Sequence, residues 1–449
     1  MEQEVVGRFL ETLRRTQFLP PDQLAIYQYS QLEGIVRHAR AHVPFYRDSG
    51  RLDPLFSGDG TIDWERWAEI PPLKRKDLQD EFERLKSEVV PPGQGQIFTL
   101  STSGSSGEPV KVLAPERARR WAWAALRLRD FEWHGIDTAK RLAYLYPFEP
   151  GYFDSTGMRR YPLWNAAFGS VPAGERVELG DTRPAAELVD LVAAIRPAYL
   201  HVQPTALQLM VAHDRKGLLS DLGLAAVFCY GEPFPSEAKR HVETHLGCRI
   251  LELYGTSECG YVAGSCPYCG GIHVHAEVGL VEVIAEDGSP VRPGEAGRML
   301  VTPFYNYVMP LIRYDHDDFV QMASHPCRIT LPALDVILGK KRPAFVFSDG
   351  RVIRPTLPTG WVIDCLGAQA YQIAQVAPDR CEVRIVPGSL PPSEMRFDEI
   401  TTRIRSMWWD GLQIDFKIVE ALPRRTPRSK IQFIVQETPG FIDPSSDTY

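Results

Sequence analysis

No apolar run in the 449 residues reaches the length of a membrane span. The start, Met1-Glu2-Gln3-Glu4-Val5, lacks the basic-then-apolar order of a secretory leader. Basic residues are not in excess. A formal charge of −7 gives no reason to expect nucleic acid or an anionic membrane as a partner. Eight cysteines in so long a chain do not make a disulfide scaffold. A reducing cytoplasm fits, and cysteines that cluster then point to metal or chemistry. The spacing G-x-x-x-x-G-K-[ST] is absent, which argues against a P-loop nucleotide site. Internal repeats are absent too.

What is present describes an ordinary globular protein. Hydrophobic residues make up 44% and charged residues 24%, in a chain long enough for two or more domains. One stretch stands out. Thr102, Ser103, Gly104, Ser105, Ser106 and Gly107 lie between two β-like runs, Ile97–Leu100 and Val110–Leu113. Glycines let the backbone turn tightly, consecutive N–H groups in such a turn can form a nest for an anion, and the hydroxyls add rotatable donors. A triphosphate would suit the nest. A flexible Ser/Gly linker is the other reading, and this stretch alone does not separate them.

Along the chain, Val6–Thr16 and Asp22–Ala41 have the three-to-four apolar spacing of helices, and Ile70–Leu78 starts a short helix after a proline break. Glu116–His134 is a strong helix pattern. Helices at Ala185–Arg196, Pro204–His213 and Ser236–Leu246 then alternate with strands at Ala198–Val202, Ala225–Cys229 and Arg249–Leu253. Such alternation predicts a largely parallel sheet covered by helices, with ligands at the carboxyl ends of its strands. Two polar turns fall there: Tyr230-Gly231-Glu232-Pro233 and Tyr254-Gly255-Thr256-Ser257-Glu258. From Val278 the pattern changes to hairpins. A boundary is expected near Gly339–Pro343, a basic, proline-marked stretch. The fold class is therefore α/β: a large domain, 1–338, with mainly parallel sheets, helices and a β-rich part, followed by a small α+β domain, 339–449. In the latter, Phe345–Ile353 and Tyr371–Val386 read as hairpins, Ser393–Trp409 as a helix and Gln413–Val419 as a strand.

Taken in order, these motifs resemble those of the acyl-adenylate-forming ligases, specifically the phenylacetate–coenzyme A ligase branch. The resemblance spans nearly the whole chain. It rests on Val43-Pro44-Phe45-Tyr46-Arg47, Leu73–Leu78, the Ser/Gly loop, Tyr254–Glu258, Ile312-Arg313-Tyr314 with Asp318 four residues on, and Ser429-Lys430. It implies a two-step enzyme with a mobile C-terminal lid. The loop Thr102–Gly107 would hold the phosphates of ATP, and Glu258 would hold Mg²⁺. Tyr254, with Gly255 and Thr256, would cover the adenine. Asp318 would accept from the ribose hydroxyls, with Asp315 and Asp317 leaving the register open. Gly231 and Glu232 would line the nucleotide or acyl end. Lys430 would reach the α-phosphate and carboxylate oxygens. At the hinge the chain departs from the family pattern: Arg342 and Pro343 stand where an acidic residue is usual, and Lys340 stands for a ribose-contacting arginine. Tyr146, Phe148, Tyr152 and Phe153 are candidates for the acyl-pocket wall, with core or lid roles equally open.

Cys266-Pro267-Tyr268-Cys269-Gly270-Gly271-Ile272-His273 has the shape of a zinc knuckle, and His325-Pro326-Cys327 follows much later. Members of the resembled branch often carry cysteines in both places. The expected structural zinc site is Cys266, Cys269, His273 and Cys327, with His325 as the substitute ligand; a loop of free thiols is the alternative. The expected activity is ATP-dependent activation of an aryl or arylacetyl carboxylic acid to acyl-AMP, then transfer to coenzyme A. Transfer to an amine or a carrier-protein thiol is the alternative, and a non-catalytic zinc-stabilised binding protein is a third reading. Expected partners are the acid, ATP and coenzyme A, without nucleic acid or membrane, in the cytoplasm; a homodimer is left open.

Overall fold

The computed structural model describes residues 2–101, 110–148, 152–153, 157–169, 171–181, 183–340, 344–353, 355, 357, 359–388, 390–423 and 432–439. The expectations placed on Thr102–Gly107, Arg342, Pro343 and Lys430 lie outside these residues, as does the side chain of Lys340.

The amphipathic N-terminal segments form helices Glu2–Thr16 and Pro21–His42, as their spacing predicts. The first buries Val6, Leu10 and Leu13; the second buries Leu32, Ile35, Val36 and Ala39, residues three to four apart on one face. The proline break before Leu73 yields more than a helix. Leu73–Lys74 forms a short strand parallel to Tyr314–Asp315, and helix Arg75–Asp80 follows. Ile97–Ser101 and Lys111–Pro115 form the expected ladder around the Ser/Gly stretch, with Ser101 opposite Lys111.

Thirteen strands form one sheet. Its parallel half runs, in spatial order, Arg249–Thr256, Ala226–Tyr230, Tyr199–Val202, Leu142–Tyr146 and Arg176–Gly180, edged by the antiparallel Met158–Tyr161. Helices Ala185–Ile195, Pro204–His213 and Ser236–Leu246 are the crossovers. These strands are near-continuously apolar because both faces are covered. Val177, Leu179, Leu200, Val202, Val227 and Ile250 all belong to the core beneath those helices.

The change from parallel to antiparallel comes at the Thr256–Gly260 turn, earlier than the change in sequence pattern at Val278. Strand Arg249–Thr256 turns back directly into Gly260–Ser265, and the sheet continues through Ile272–Val274, Ala333–Lys340, Tyr314–Met322, Ala296–Pro303 and Gly279–Ile284. The β-rich part is thus an extension of the parallel sheet, not a separate layer.

The C-terminal segment makes its own four-stranded sheet in the order Gln413–Ile418, Arg380–Val386, Ala370–Ala377, Ile434–Gln436. Helices Thr359–Leu366 and Phe397–Met407 supply Val362, Ile363, Ile400 and Ile404 to its core. That core also takes in Ala185 and Leu209 from the crossover helices of the large sheet. Among the described residues no helix is long and apolar enough to cross a membrane.

Candidate active site

The last parallel strand ends in the turn that carries Glu258. Thr256 Oγ1 accepts from the backbone N–H of Cys259 at 2.9 Å and closes the turn. Gly260 takes φ +85°, a conformation that favours glycine. A Cβ on Gly255 would stand 2.6 Å from the Gly260 carbonyl oxygen, so both glycines are required by the crossing of the chain over itself. The turn holds the Glu258 side chain inward, leaving the residue 7% exposed. Tyr314 Oη donates to Glu258 Oε1 at 3.2 Å, and an Arg75 nitrogen lies 3.9 Å from the same oxygen.

Three acidic residues crowd strand Tyr314–Met322, and the fold assigns them different partners. Asp315 is buried against Arg298, 3.1 Å away, and accepts from the N–H of Asp317 at 3.0 Å. Asp317 is exposed with φ +66°. Asp318 accepts from Tyr254 Oη at 2.5 Å and lies 3.2 Å from His316 Nδ1. Asp318 is therefore the carboxylate that meets Tyr254, and it stands in register with Lys340 on the neighbouring strand. Burial lifts the Tyr254 phenol well above its ordinary range, and the charge of Asp318 adds to the shift. For His316, burial works downward, but Asp318, Glu258 and Asp315 outweigh it and raise the pKa. The group Glu258, Tyr254, Tyr314, His316 and Asp318 thus presents two carboxylates and two phenols at the end of the parallel sheet. In the sequence Tyr314 figures only as part of the ribose motif, without a role of its own, and His316 is not singled out. The clue is alternation from Asp318, which puts His316 and Tyr314 on the same strand face.

Arg313, which the ribose motif includes, is held elsewhere. It is buried with φ +51°, donates to the carbonyls of Ala68 and Ile70, and pairs with Glu282 at 3.0 Å. Glu232 is also engaged: its carboxylate accepts from the N–H of Thr205 at 3.0 Å, at the start of helix Pro204–His213. Gly231, with φ +75°, follows strand Ala226–Tyr230 at its carboxyl end.

Beside this group, the carboxyl ends of three neighbouring strands carry stacked rings. Tyr144 stacks on His201 with centroids 4.3 Å apart, and His201 on Tyr230 at 4.4 Å. Tyr146 lies parallel to Tyr230 at 6.0 Å and is 40% exposed. Phe148 stacks on Tyr152 at 4.4 Å with Phe153 edge-on, and Tyr146 lies 5.3 Å from Phe148, so the four candidate wall residues form one aromatic patch. Tyr152 is fixed by donating to Glu178 at 2.7 Å. Tyr144 and His201 are residues that the sequence reading missed, and Tyr230 figures there only as part of a polar turn.

The second cluster lies farther along the hairpin. Ligand atoms of Cys266, Cys269, His273 and Cys327 all fall within 4.8 Å of one another. Cys266 Sγ is 3.6 Å from Cys327 Sγ, and Cys269 Sγ is 3.8 Å from His273 Nε2. A tetrahedral ion with metal–sulfur bonds of about 2.3 Å has ligand–ligand edges of about 3.8 Å. His273 Nδ1 is bonded to the Leu331 carbonyl at 2.8 Å, which directs Nε2 toward the sulfurs. Burial pushes the Cys266 thiol up to about 12 and lowers His273, so a dication is what would hold thiolates here. His325 points away: its Nδ1 is 3.3 Å from Asp335, and it is not among the four.

The profile of the AMP-binding enzymes matches residues 161–305. A phenylacetate-coenzyme A ligase of Escherichia coli (strain K12) is 25% identical over 342 residues, 71% of each chain. Another from Pseudomonas putida is 24% identical over 311 residues, 67% of each. Among solved structures, a 2-hydroxyisobutyryl-CoA ligase in the postadenylation state with 2-HIB-AMP aligns over 94% of this chain and 91% of its own, at 18% identity and TM-score 0.70. An anthranilate CoA ligase with anthranoyl-AMP aligns over 75% and 66%, at 16% identity and TM-score 0.52. At these identities the structural matches establish the fold.

Proposed function

The chain belongs to the adenylate-forming enzyme superfamily, and from that premise we propose that it activates an aromatic carboxylic acid for transfer to coenzyme A. Its reaction is that of an AMP-forming acid–coenzyme A ligase. The acid's carboxylate oxygen bonds to the α-phosphorus of ATP and pyrophosphate leaves. The coenzyme A sulfur then bonds to the acyl carbon, losing its proton, and AMP leaves. The relatives are coenzyme A ligases, which favours that acceptor over an amine or carrier thiol. The observation that carries the reading is the meeting of Glu258 and Asp318, through Tyr314 and Tyr254, at the end of the last parallel strand.

Each residue has a task. Asp318 accepts from the ribose, and Tyr254, held by Asp318, closes over the base. Glu258 is a buried carboxylate bordered by a phenol and a distant arginine, a hard oxygen donor suited to Mg²⁺. That ion, when bound, supplies positive charge to the phosphates. The Ser/Gly loop between its two strands supplies donors to the same phosphates. Tyr146, Phe148 and Tyr152 form the apolar wall toward the acid; the names of the relatives, phenylacetate-coenzyme A ligase, support an aromatic ring there. Gly231 borders it, and Glu232 keeps its side chain on the adjoining helix. Residues 1–338 serve as the catalytic unit and 339–449 as its lid, which brings Lys430 to the α-phosphate.

ATP–pyrophosphate exchange with a panel of aryl, arylacetyl and short aliphatic acids tests this. Exchange is expected with the aromatic acids. Lys430→Ala is expected to reduce it about 10²–10³-fold, with less effect on the transfer step measured from supplied acyl-AMP. Exchange with aliphatic acids alone would overturn the aromatic assignment.

Cys266, Cys269, His273 and Cys327 serve as a structural zinc site, pinning the hairpin after Glu258 to the segment after Asp318. Elemental analysis is expected to find one zinc per chain. His325→Ala should keep it, whereas Cys327→Ser should lose it and lower the melting temperature. A metal content unaffected by Cys327→Ser would refute the assignment.

A further inference from the structure

Strand Tyr314–Met322 is interrupted where it carries His316. On the neighbouring strand, Arg298 pairs with Phe319 and Leu300 with Asp315, so one residue, Met299, faces His316, Asp317 and Asp318. This is a bulge, a device that re-aims side chains beside functional sites. Its middle residue, Asp317, takes φ +66°, a conformation that aspartate tolerates better than most side chains. Neighbouring side chains hold the bulge in shape. Arg298 fixes the Asp315 carboxylate at 3.1 Å, and that carboxylate accepts from the Asp317 N–H at 3.0 Å.

The result is a close approach of two side chains. Residues i and i+2 of a regular strand stand about 6.6 Å apart. Here His316 Nδ1 lies 3.2 Å from Asp318 Oδ2. The same oxygen accepts from Tyr254 Oη at 2.5 Å. The imidazole is buried, and its ring neighbours those of Tyr254 and Tyr314, with centroids 6.3 and 6.0 Å away. Its approach to Asp318 is an ion-pair contact and not an aligned hydrogen bond, and Nε2 has no partner among the described residues. Asp315 is engaged by Arg298, and Glu258 by Tyr314. Asp318 is thus the carboxylate that this imidazole meets. Two groups on one oxygen restrict the rotation of a carboxylate more than one does.

We propose that His316 is a positioning residue: it braces Asp318, so that the carboxylate is set for the ribose hydroxyls of ATP before the nucleotide arrives. The proposal rests on the ribose reading of Asp318 above and adds the side chain that sets its aim. Such preorganisation raises affinity by lowering the ordering cost of binding, with no contact needed between His316 and the nucleotide.

The test is calorimetric binding of ATP and of 2′,3′-dideoxy-ATP, each with magnesium, to the full-length protein; it requires no acid. The wild type should bind ATP about 10- to 100-fold more tightly than the dideoxy analogue, the range of hydrogen bonds to a charged group. Asp318→Asn should remove most of that difference. His316→Leu should lower the affinity for ATP about tenfold and that for the dideoxy analogue less than about threefold. His316→Gln, whose amide can still donate to Asp318, should keep part of the preference. In the Asp318→Asn background, His316→Leu should cost nothing further, because the residue acts through Asp318. A wild type indifferent to the two nucleotides, or a preference that survives Asp318→Asn, defeats the ribose reading and the proposal with it. If those two behave as expected but His316→Leu weakens both nucleotides alike, or neither, the ribose reading stands and the proposal alone is overturned. A loss that persists in the Asp318→Asn background overturns it in the same way. Should His316→Leu fail to fold, His316→Gln decides: a fall in ATP affinity that spares the dideoxy analogue supports the brace, and any other result refutes it.

Discussion

Glu258→Gln is expected to slow ATP–pyrophosphate exchange about 10²–10³-fold while leaving the protein folded. The amide keeps an oxygen for Tyr314 to donate to, so the 3.2 Å contact survives. What goes is one unit of negative charge in a buried position. A hard dication prefers an anionic oxygen there, and charge on the transferring phosphoryl group is what the site must balance. The magnesium concentration for half-maximal exchange should rise with the fall in rate. A small loss with an unchanged magnesium requirement would assign the metal to another carboxylate. Unaltered melting is the control that separates lost chemistry from lost structure.

Arg129→Met is expected to cost about 3–5 kcal/mol of stability, the largest loss foreseen for a residue outside the site. Arg129 is 0% exposed; it donates to Glu277 at 2.7 Å and to His275 Nδ1 at 2.6 Å. Glu277 is equally buried and also accepts from Thr16 at 2.9 Å. Removing the guanidinium strands an uncompensated carboxylate in the interior. The double change Arg129→Met with Glu277→Gln should regain much of the loss, because the stranded charge goes too. Denaturant unfolding of the two variants measures this. A double variant no more stable than the single one would mean that Arg129 acts through packing alone, with Trp133 beneath it at 4.6 Å.

Features that lie within a few residues of one another were legible in the sequence. The C-x-x-C pair and the alternation of helix and strand both express local geometry, and the structure places them as that geometry predicts. The strand ladder around the Ser/Gly stretch is local in the same sense. Of the meetings across long stretches, that of Cys327 with Cys266, Cys269 and His273 was expected from the family resemblance, not from spacing; others were not legible. Nothing in its spacing tells Asp318 from Asp315; Arg298, brought alongside by strand pairing, occupies Asp315 and leaves Asp318 to Tyr254. His325 looked like a metal ligand because it is two residues from Cys327, yet Asp335 on the neighbouring strand takes it. Strand Leu142–Tyr146 was missed although its rings belong to the aromatic stack, because its five residues carry little periodicity. Helix Thr359–Leu366 was missed behind the prolines that precede it.

The strand that carries Asp318 is assembled on the beginning of the chain. Tyr46 Oη donates to the carbonyl of Pro310 and accepts from the N–H of Ile312, Leu73 runs beside Tyr314, and Arg313 holds Ile70 from 243 residues away. On a ribosome adding about 5–20 residues per second, the first eighty residues therefore wait roughly 12–50 s for their partner to be made. Through that interval Tyr46, Leu52, Leu55 and Leu73, fully buried in the finished protein, have no completed surface to pack on. The proposed nucleotide site is a late product of synthesis, and its earliest-made half is the part of the nascent chain most in need of a chaperone.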